Sequence, residues 1–156
     1  MTLEPMDLLP AARQPVPGSE LELIERSLRW NELFSPWPDE ARRRLAKEAR
    51  LRTYHRRTQV LAHDRHARDL LAVVSGCLEV GCVDAEGRKY VHGLLGPGHL
   101  APLVRLLEDQ PLPYNYHAHE DSVIVHVACD AVLSVLAEQP QLWREVARLG
   151  LQRQRH

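Results

Sequence analysis

Nine histidines and three cysteines are spread over 156 residues, and a few of them are spaced as chemistry would require. His117-Ala118-His119 places two imidazoles on one face of a strand, with His126 on the following apolar run. Transition metals use such pairs together with a carboxylate and a fourth ligand, but here Glu120 follows His119 immediately. The spacing therefore predicts hydrogen-bonded or solvent-facing histidines and no metal. His63-Asp64-Arg65-His66 reads as a polar loop between two strands. Cys77, Cys82 and Cys129 are odd in number and lack a Cys-x-x-Cys spacing, which predicts buried thiols in a reducing, cytoplasmic compartment. Cys77 and Cys82 are an odd count apart on a strand and point to opposite faces. There is no Gly-x-Ser-x-Gly, no Walker loop and no pair of carboxylates in a plausible pocket, so no catalytic residue is assigned and no enzyme is expected.

Residues suited to binding lie between Gly98 and Tyr116. Gly98-His99-Leu100-Ala101-Pro102-Leu103 reads as a loop running into a short helix that starts at Pro102, whose first amides are free to meet an anion, with His99, Arg105 and Arg88 as the available cations. Leu100, Leu103, Val104, Tyr114 and Tyr116 would line an apolar pocket fit for a hydrophobic or planar small-molecule effector, the tyrosines forming one wall. On another segment Arg42-Arg43-Arg44, with Lys47 and Arg50, makes a cationic helix face. Glu40 and Glu48 interleave with it, so it reads as a solvated face and not as a nucleic-acid patch.

These side chains need elements to hold them. Residues 1–18, with four prolines and Gly18, read as an extended arm. Ser19 and Glu22 make a capping box for a helix from Ser19 to Leu33, which Pro36 and Pro38 end before a second helix over Asp39–Ala49. From Leu51 the period becomes that of strands: Gln59–Ala62, Asp69–Val74, Leu78–Val83, Arg88–Leu94, Tyr114–His119 and Val123–Val127, separated by turn signals that include Gly76, Gly87 and Gly98. The composition of Pro102–Asp109 is helical. Ala131–Gln139 and a segment restarting at Pro140 close the chain as helices, the last with Leu142, Val146 and Leu149 on one side and Trp143 and Gly150 beside them. A chain of this length is one domain with a sizeable core. A net charge of −1 supplies no field to draw it onto nucleic acid or an anionic membrane, and no long apolar run offers a membrane span.

The order strand, Gly, strand, Glu-Gly hairpin, strand, Gly-led loop, short helix resembles the cyclic-nucleotide-binding sensor domain of the Crp/Fnr superfamily of bacterial transcription regulators, from about Leu33 to the end. The resemblance implies a mainly β fold, a double-stranded β-helix or jelly roll with flanking helices: residues 19–139 as the sensor and 140–156 as the start of a dimerisation helix. It implies a homodimer through Leu142, Trp143, Val146, Leu149 and Gly150, and DNA contact only through a helix-turn-helix module beyond His156. It also implies a phosphate-binding segment, within which Leu103 stands where the family has its ribose-binding carboxylate and Pro113-Tyr114 where it has an Arg-Ser pair. A buried monoanion lacking a cation costs several kcal/mol, so cyclic AMP in its usual mode is not expected. Two other readings stay open. One is a metal-dependent cupin-like enzyme using His117 and His119, although His126 lacks the glycine context of the second cupin motif; the other is an effector-independent dimerisation scaffold.

Overall fold

The computed structural model describes residues 17–154 of the chain. The expected arm lies outside the described residues as far as residue 16, and Pro17 already begins helix α1 (Pro17–Trp30). Proline suits the first helical turn, where its missing N–H has no partner to lose, and Ser19 is thereby inside the helix instead of capping it. A turn and α2 (Asp39–Lys47) follow. Then come eight strands: β1 (Arg50–Tyr54), β2 (Gln59–Leu61), β3 (Asp69–Ser75), β4 (Leu78–Val83), β5 (Lys89–Leu95), β6 (Leu100–Ala101), β7 (Asn115–Ala118) and β8 (Ser122–Ala128). A 3-10 turn at Leu103–Leu106 separates β6 from β7, and α3 (Cys129–Glu138), a 3-10 turn at Pro140–Leu142 and α4 (Trp143–Gln154) complete the described residues. None of the described helices is long and apolar enough to cross a membrane.

The strands form two four-stranded sheets of order β1-β8-β3-β6 and β2-β7-β4-β5, with every pairing antiparallel. This is the jelly roll with flanking helices that the resemblance implied. Gly76 makes the β3–β4 turn at φ +87°, and a Cβ there would lie 2.3 Å from Ser122 Oγ and 2.5 Å from Asp121 O, so only glycine fits.

Alternation along the first sheet creates two cores. Leu51, Leu70, Ala72, Leu100, Val123, Val125 and Val127 face the helices, meeting Leu28, Phe34, Trp37, Leu45, Val135 and Leu136. Leu71, Val73, Ala101 and Ile124 face the other sheet and meet Leu78, Leu112 and Tyr116 between the layers. The cationic face expected on α2 is broken at Arg42, which is 9% exposed. Its guanidinium donates to the carbonyls of Phe34 (3.2 Å), Ser35 (2.9 Å) and Trp37 and is paired with Asp39, so it folds the 31–38 turn under the helix; Arg50 lies in β1.

Cys129 is wholly buried at the start of α3, and burial pushes its thiol from 9.0 up to about 12. A raised native pKa means the unfolded chain releases its proton first, so this contribution to stability is intact below pH 9 and is lost as pH rises through the native value, on the order of 4 kcal/mol in all. Urea unfolding of wild type and Cys129→Ala between pH 8 and 11 checks this: the alkaline loss should be shallower in the variant.

Candidate functional site

The segment that the resemblance marks for phosphate is built by a loop, a two-residue strand and a single 3-10 turn. Gly98 takes φ +88°; its N–H donates to Val73 O (2.9 Å) and its carbonyl accepts from Glu32 N–H (2.9 Å). It opens onto a groove of about 360 Å³ outside the roll, between α1 and the Pro97-Gly98 turn, lined among others by Leu23, Arg26, Trp30 and Val74. His99 is exposed, and its Nδ1 accepts from Gly96 N–H in its own turn at 3.2 Å.

Leu100 is held at both its backbone N–H and its carbonyl. Its N–H donates to Glu32 Oε2 (2.7 Å), and its carbonyl accepts from Arg153 Nη2, which also donates to Glu32 Oε2 (2.7 Å). One carboxylate oxygen and one guanidinium nitrogen thus join the end of α1, strand β6 and helix α4. Nearby, the backbone of Gly150 faces Leu103: a Cβ there would lie 3.9 Å from Leu103 Cδ2. Neither Glu32 nor Arg153 stands out by spacing in the sequence, because the partners are far apart in the chain.

The expected apolar pocket is not assembled as one cavity. Leu100 and Leu103 pack with the helix-side core, Tyr116 and Tyr114 with the core between the sheets, and Val104 is exposed. Tyr116 is 5% exposed, and burial pushes its hydroxyl up to about 12. Pro113 is exposed, and the Tyr114 ring packs on His92 with centroids 4.8 Å apart. The expected cations do not converge either. Arg105 donates from Nε to Ala67 O (2.7 Å) and lies 3.7 Å from Asp109; Arg88 is paired with Asp84 (2.9 Å) and Glu86 (3.1 Å) at the β4–β5 hairpin tip.

The dimer stripe also needs correction. Leu142, Val146 and Leu149 are 7%, 3% and 4% exposed and belong to this chain's own helix-side core, with Trp143 packed against it. The outward face of α4 instead carries Arg144, Ala147, Arg148 and Leu151.

The three histidines of the possible metal set divide between the sheets. His117 and His119 lie at β7, with His119 Nδ1 3.2 Å from Glu79. His126 is on β8 with Tyr54 Oη 2.7 Å from its Nε2 and Asp69 3.4 Å from its Nδ1, and burial lowers its pKa. It is therefore neutral near pH 7, with Nε2 accepting from Tyr54 and Nδ1–H facing the carboxylate. Among the described residues no group of three or more His, Cys, Asp or Glu side chains is placed to hold a metal.

The cyclic nucleotide-binding domain family matches residues 51–139, and the chain belongs to it. No curated protein matches the chain significantly. Among solved structures it is similar to the sensor domain of the transcriptional regulator DNR from Pseudomonas aeruginosa, with 16% identity, TM-score 0.76, and coverage of 85% of this chain and 89% of that one. It is similar also to the catabolite activator protein of Thermus thermophilus (22% identity, TM-score 0.68, 80% of this chain) and spans 59% of that protein's length. The regulatory domain of Toxoplasma gondii PKA, solved with cAMP, is 19% identical, with TM-score 0.65 over 76% of this chain and 44% of that one. The fold is thus one the chain shares with these three proteins.

The Glu32–Arg153 pair is mostly sheltered, with 22% and 32% of the side chains exposed. Charged hydrogen bonds of this kind contribute about 1.5–3 kcal/mol. Arg153→Met should lower the unfolding free energy by roughly that amount in urea titration, whereas Arg144→Met, on the outward face of the same helix, should leave it nearly unchanged.

Proposed function

We propose that this domain is the effector-sensing and dimerisation unit of a Crp/Fnr-type transcription regulator whose cyclic-nucleotide pocket has lost its charged contacts. The observation that carries this reading is the occupancy of the family's ligand position. Leu103 packs against the helix-side core, Tyr116 and Leu112 fill the space between the sheets, and the resemblance aligns Pro113 and Tyr114 with the family's Arg-Ser pair. A cyclic phosphate brought there would lose water without gaining a cation.

Coupling to α4 runs through the bridge described above. An effector that shifted Gly98–Leu103 would pull on Leu100, and with it on Glu32 and Arg153, while Leu103 would press on α4 beside Gly150. Packed elements of this kind change position by small rigid shifts. The outward face of α4, with Ala147 and the 61%-exposed Leu151, is the surface that would meet a second copy of the chain, in place of the buried Leu142, Val146 and Leu149. The likeness to the DNR sensor domain and the catabolite activator protein supports a role in transcriptional control.

Calorimetric titration with cyclic AMP tests the pocket. Losing both charge-assisted contacts should weaken binding by roughly two to four orders of magnitude relative to a pocket that has them, leaving little or no heat at micromolar ligand. A micromolar dissociation constant with amide shifts centred on Gly98–Leu103 would overturn the reading. An occluded interior whose stability no small molecule alters, in a chain that still dimerises, would favour the effector-independent scaffold.

A further inference from the structure

The outer face of the second sheet, turned away from both cores, carries a charged cleft that the sensor reading does not use. Strand alternation makes it: Leu78 and Val80 point between the sheets, Glu79 points outward, and His117 is its direct cross-strand partner on β7. Glu79 is a charged residue in an otherwise apolar strand, and its side chain is only 9% exposed. It accepts from Lys89 Nζ at 2.5 Å and from His119 Nδ1 at 3.2 Å, and the Lys89 contact is the chief cause that holds its carboxyl below the usual range despite burial. The carboxylate therefore fixes two cationic or donor groups around one hollow.

The β1–β2 loop brings in two more. Arg57 N–H donates to Ala118 O (2.7 Å), Thr58 O accepts from Ala118 N–H (2.9 Å), and Arg56 N–H donates to Asp121 Oδ1 (2.8 Å), so the loop backbone is pinned to the end of β7. Arg57 is held at φ +74°, a conformation that costs a non-glycine residue energy and is common at ligand clamps. Among the described residues neither guanidinium has a carboxylate partner. Together with Glu79, Lys89, His117 and His119 they line a cleft of about 340 Å³. Three permanent cations face one carboxylate that already accepts two hydrogen bonds, which leaves an excess of two positive charges before either histidine is protonated.

A doubly charged anion with several acceptor oxygens matches that excess, and guanidinium forks suit phosphate geometry. The volume is at the lower end of small-ligand sites. The chain's net charge of −1 offers no surrounding basic field for a polyanion. We infer that this cleft binds a phosphate dianion, free or as a small phosphomonoester, at Arg56, Arg57, Lys89, His117 and His119. The site lies outside the roll interior, so its occupation is independent of any ligand at Gly98–Leu103.

The test is calorimetry in a non-phosphate buffer, with inorganic phosphate and adenosine 5′-monophosphate as probes and cyclic AMP, a singly charged diester, as the control. Histidine ring resonances of His117 and His119 report the location. The two probes should bind saturably and shift both rings. Tighter binding of the monophosphate would make an ester the ligand, and equal binding would make it free phosphate. Arg56→Ala/Arg57→Ala should weaken binding about 10- to 100-fold. Both side chains are exposed and the loop's hydrogen bonds are made by backbone, so the variant should keep the wild-type melting curve. Arg65→Ala/Arg68→Ala, outside the cleft, should bind as wild type. Absence of saturable binding up to about 10 mM, or equal weakening in both double variants, would overturn the inference. A cyclic AMP response at Gly98–Leu103 without ring shifts would overturn the pocket reading above and leave this one standing.

Discussion

The Glu32 carboxylate is the point on which the arrangement turns. Through Oε2 it receives both the Leu100 amide and the Arg153 guanidinium, and Arg153 in turn donates to the Leu100 carbonyl. β6 is only two residues long and pairs only with β3, so its own ladder holds it weakly. The bridge supplies what the ladder lacks and ties the strand to the first and last helices at once. A partly sheltered carboxylate in this position is stable because its charge is met by a guanidinium and its lone pairs by donors.

The first sheet divides the interior into two apolar compartments, and that division governs what a ligand could do. The helix-side core takes Leu100, Leu103, Leu106, Val146 and Leu149, so the 3-10 turn after β6 and helix α4 share one packed body. The compartment between the sheets takes Tyr116, Leu112 and Ile124. Close-packed groups move in discrete steps, and a displacement of the 3-10 turn would reach α3, its main helical neighbour, and α4 beside Gly150. An anion entering between the sheets, by contrast, would meet hydrocarbon, because Arg105 is engaged with Ala67 O and Asp109 at the edge.

Much of the architecture was legible in the sequence because strands and turns announce themselves locally. The sequence predicts Leu78–Val83 at its observed bounds, and the four other strands it predicts from β3 onward lie within two residues of theirs. β1 was not delimited: RLRTY buries only Leu51 and otherwise reads as a charged coil. β6 is too short to give a period. The apolar stripe of α4 is visible, but periodicity reports that a face is covered and not by what, and here the chain's own helix-side core covers it. Arg42 was misplaced for a related reason, since arginine spacing cannot reveal carbonyls waiting in a preceding turn. Of the candidate site, the resemblance gives only the expectation that Leu103 and Pro113-Tyr114 replace the family's charged contacts. It could not disclose Glu32 and Arg153, whose partnership spans 121 positions.

The central claim is that the Gly98–Leu103 segment and the terminal helix respond as one unit through the Glu32 bridge. Native-state hydrogen exchange on Glu32→Ala, compared with wild type, tests it most directly. The account predicts that the amides of Val146 to Leu151 in α4 lose protection together with Leu100, by about tenfold or more, while Val132 to Leu136 in α3 stay as in wild type. Loss confined to Leu100, with α4 unchanged, would contradict it.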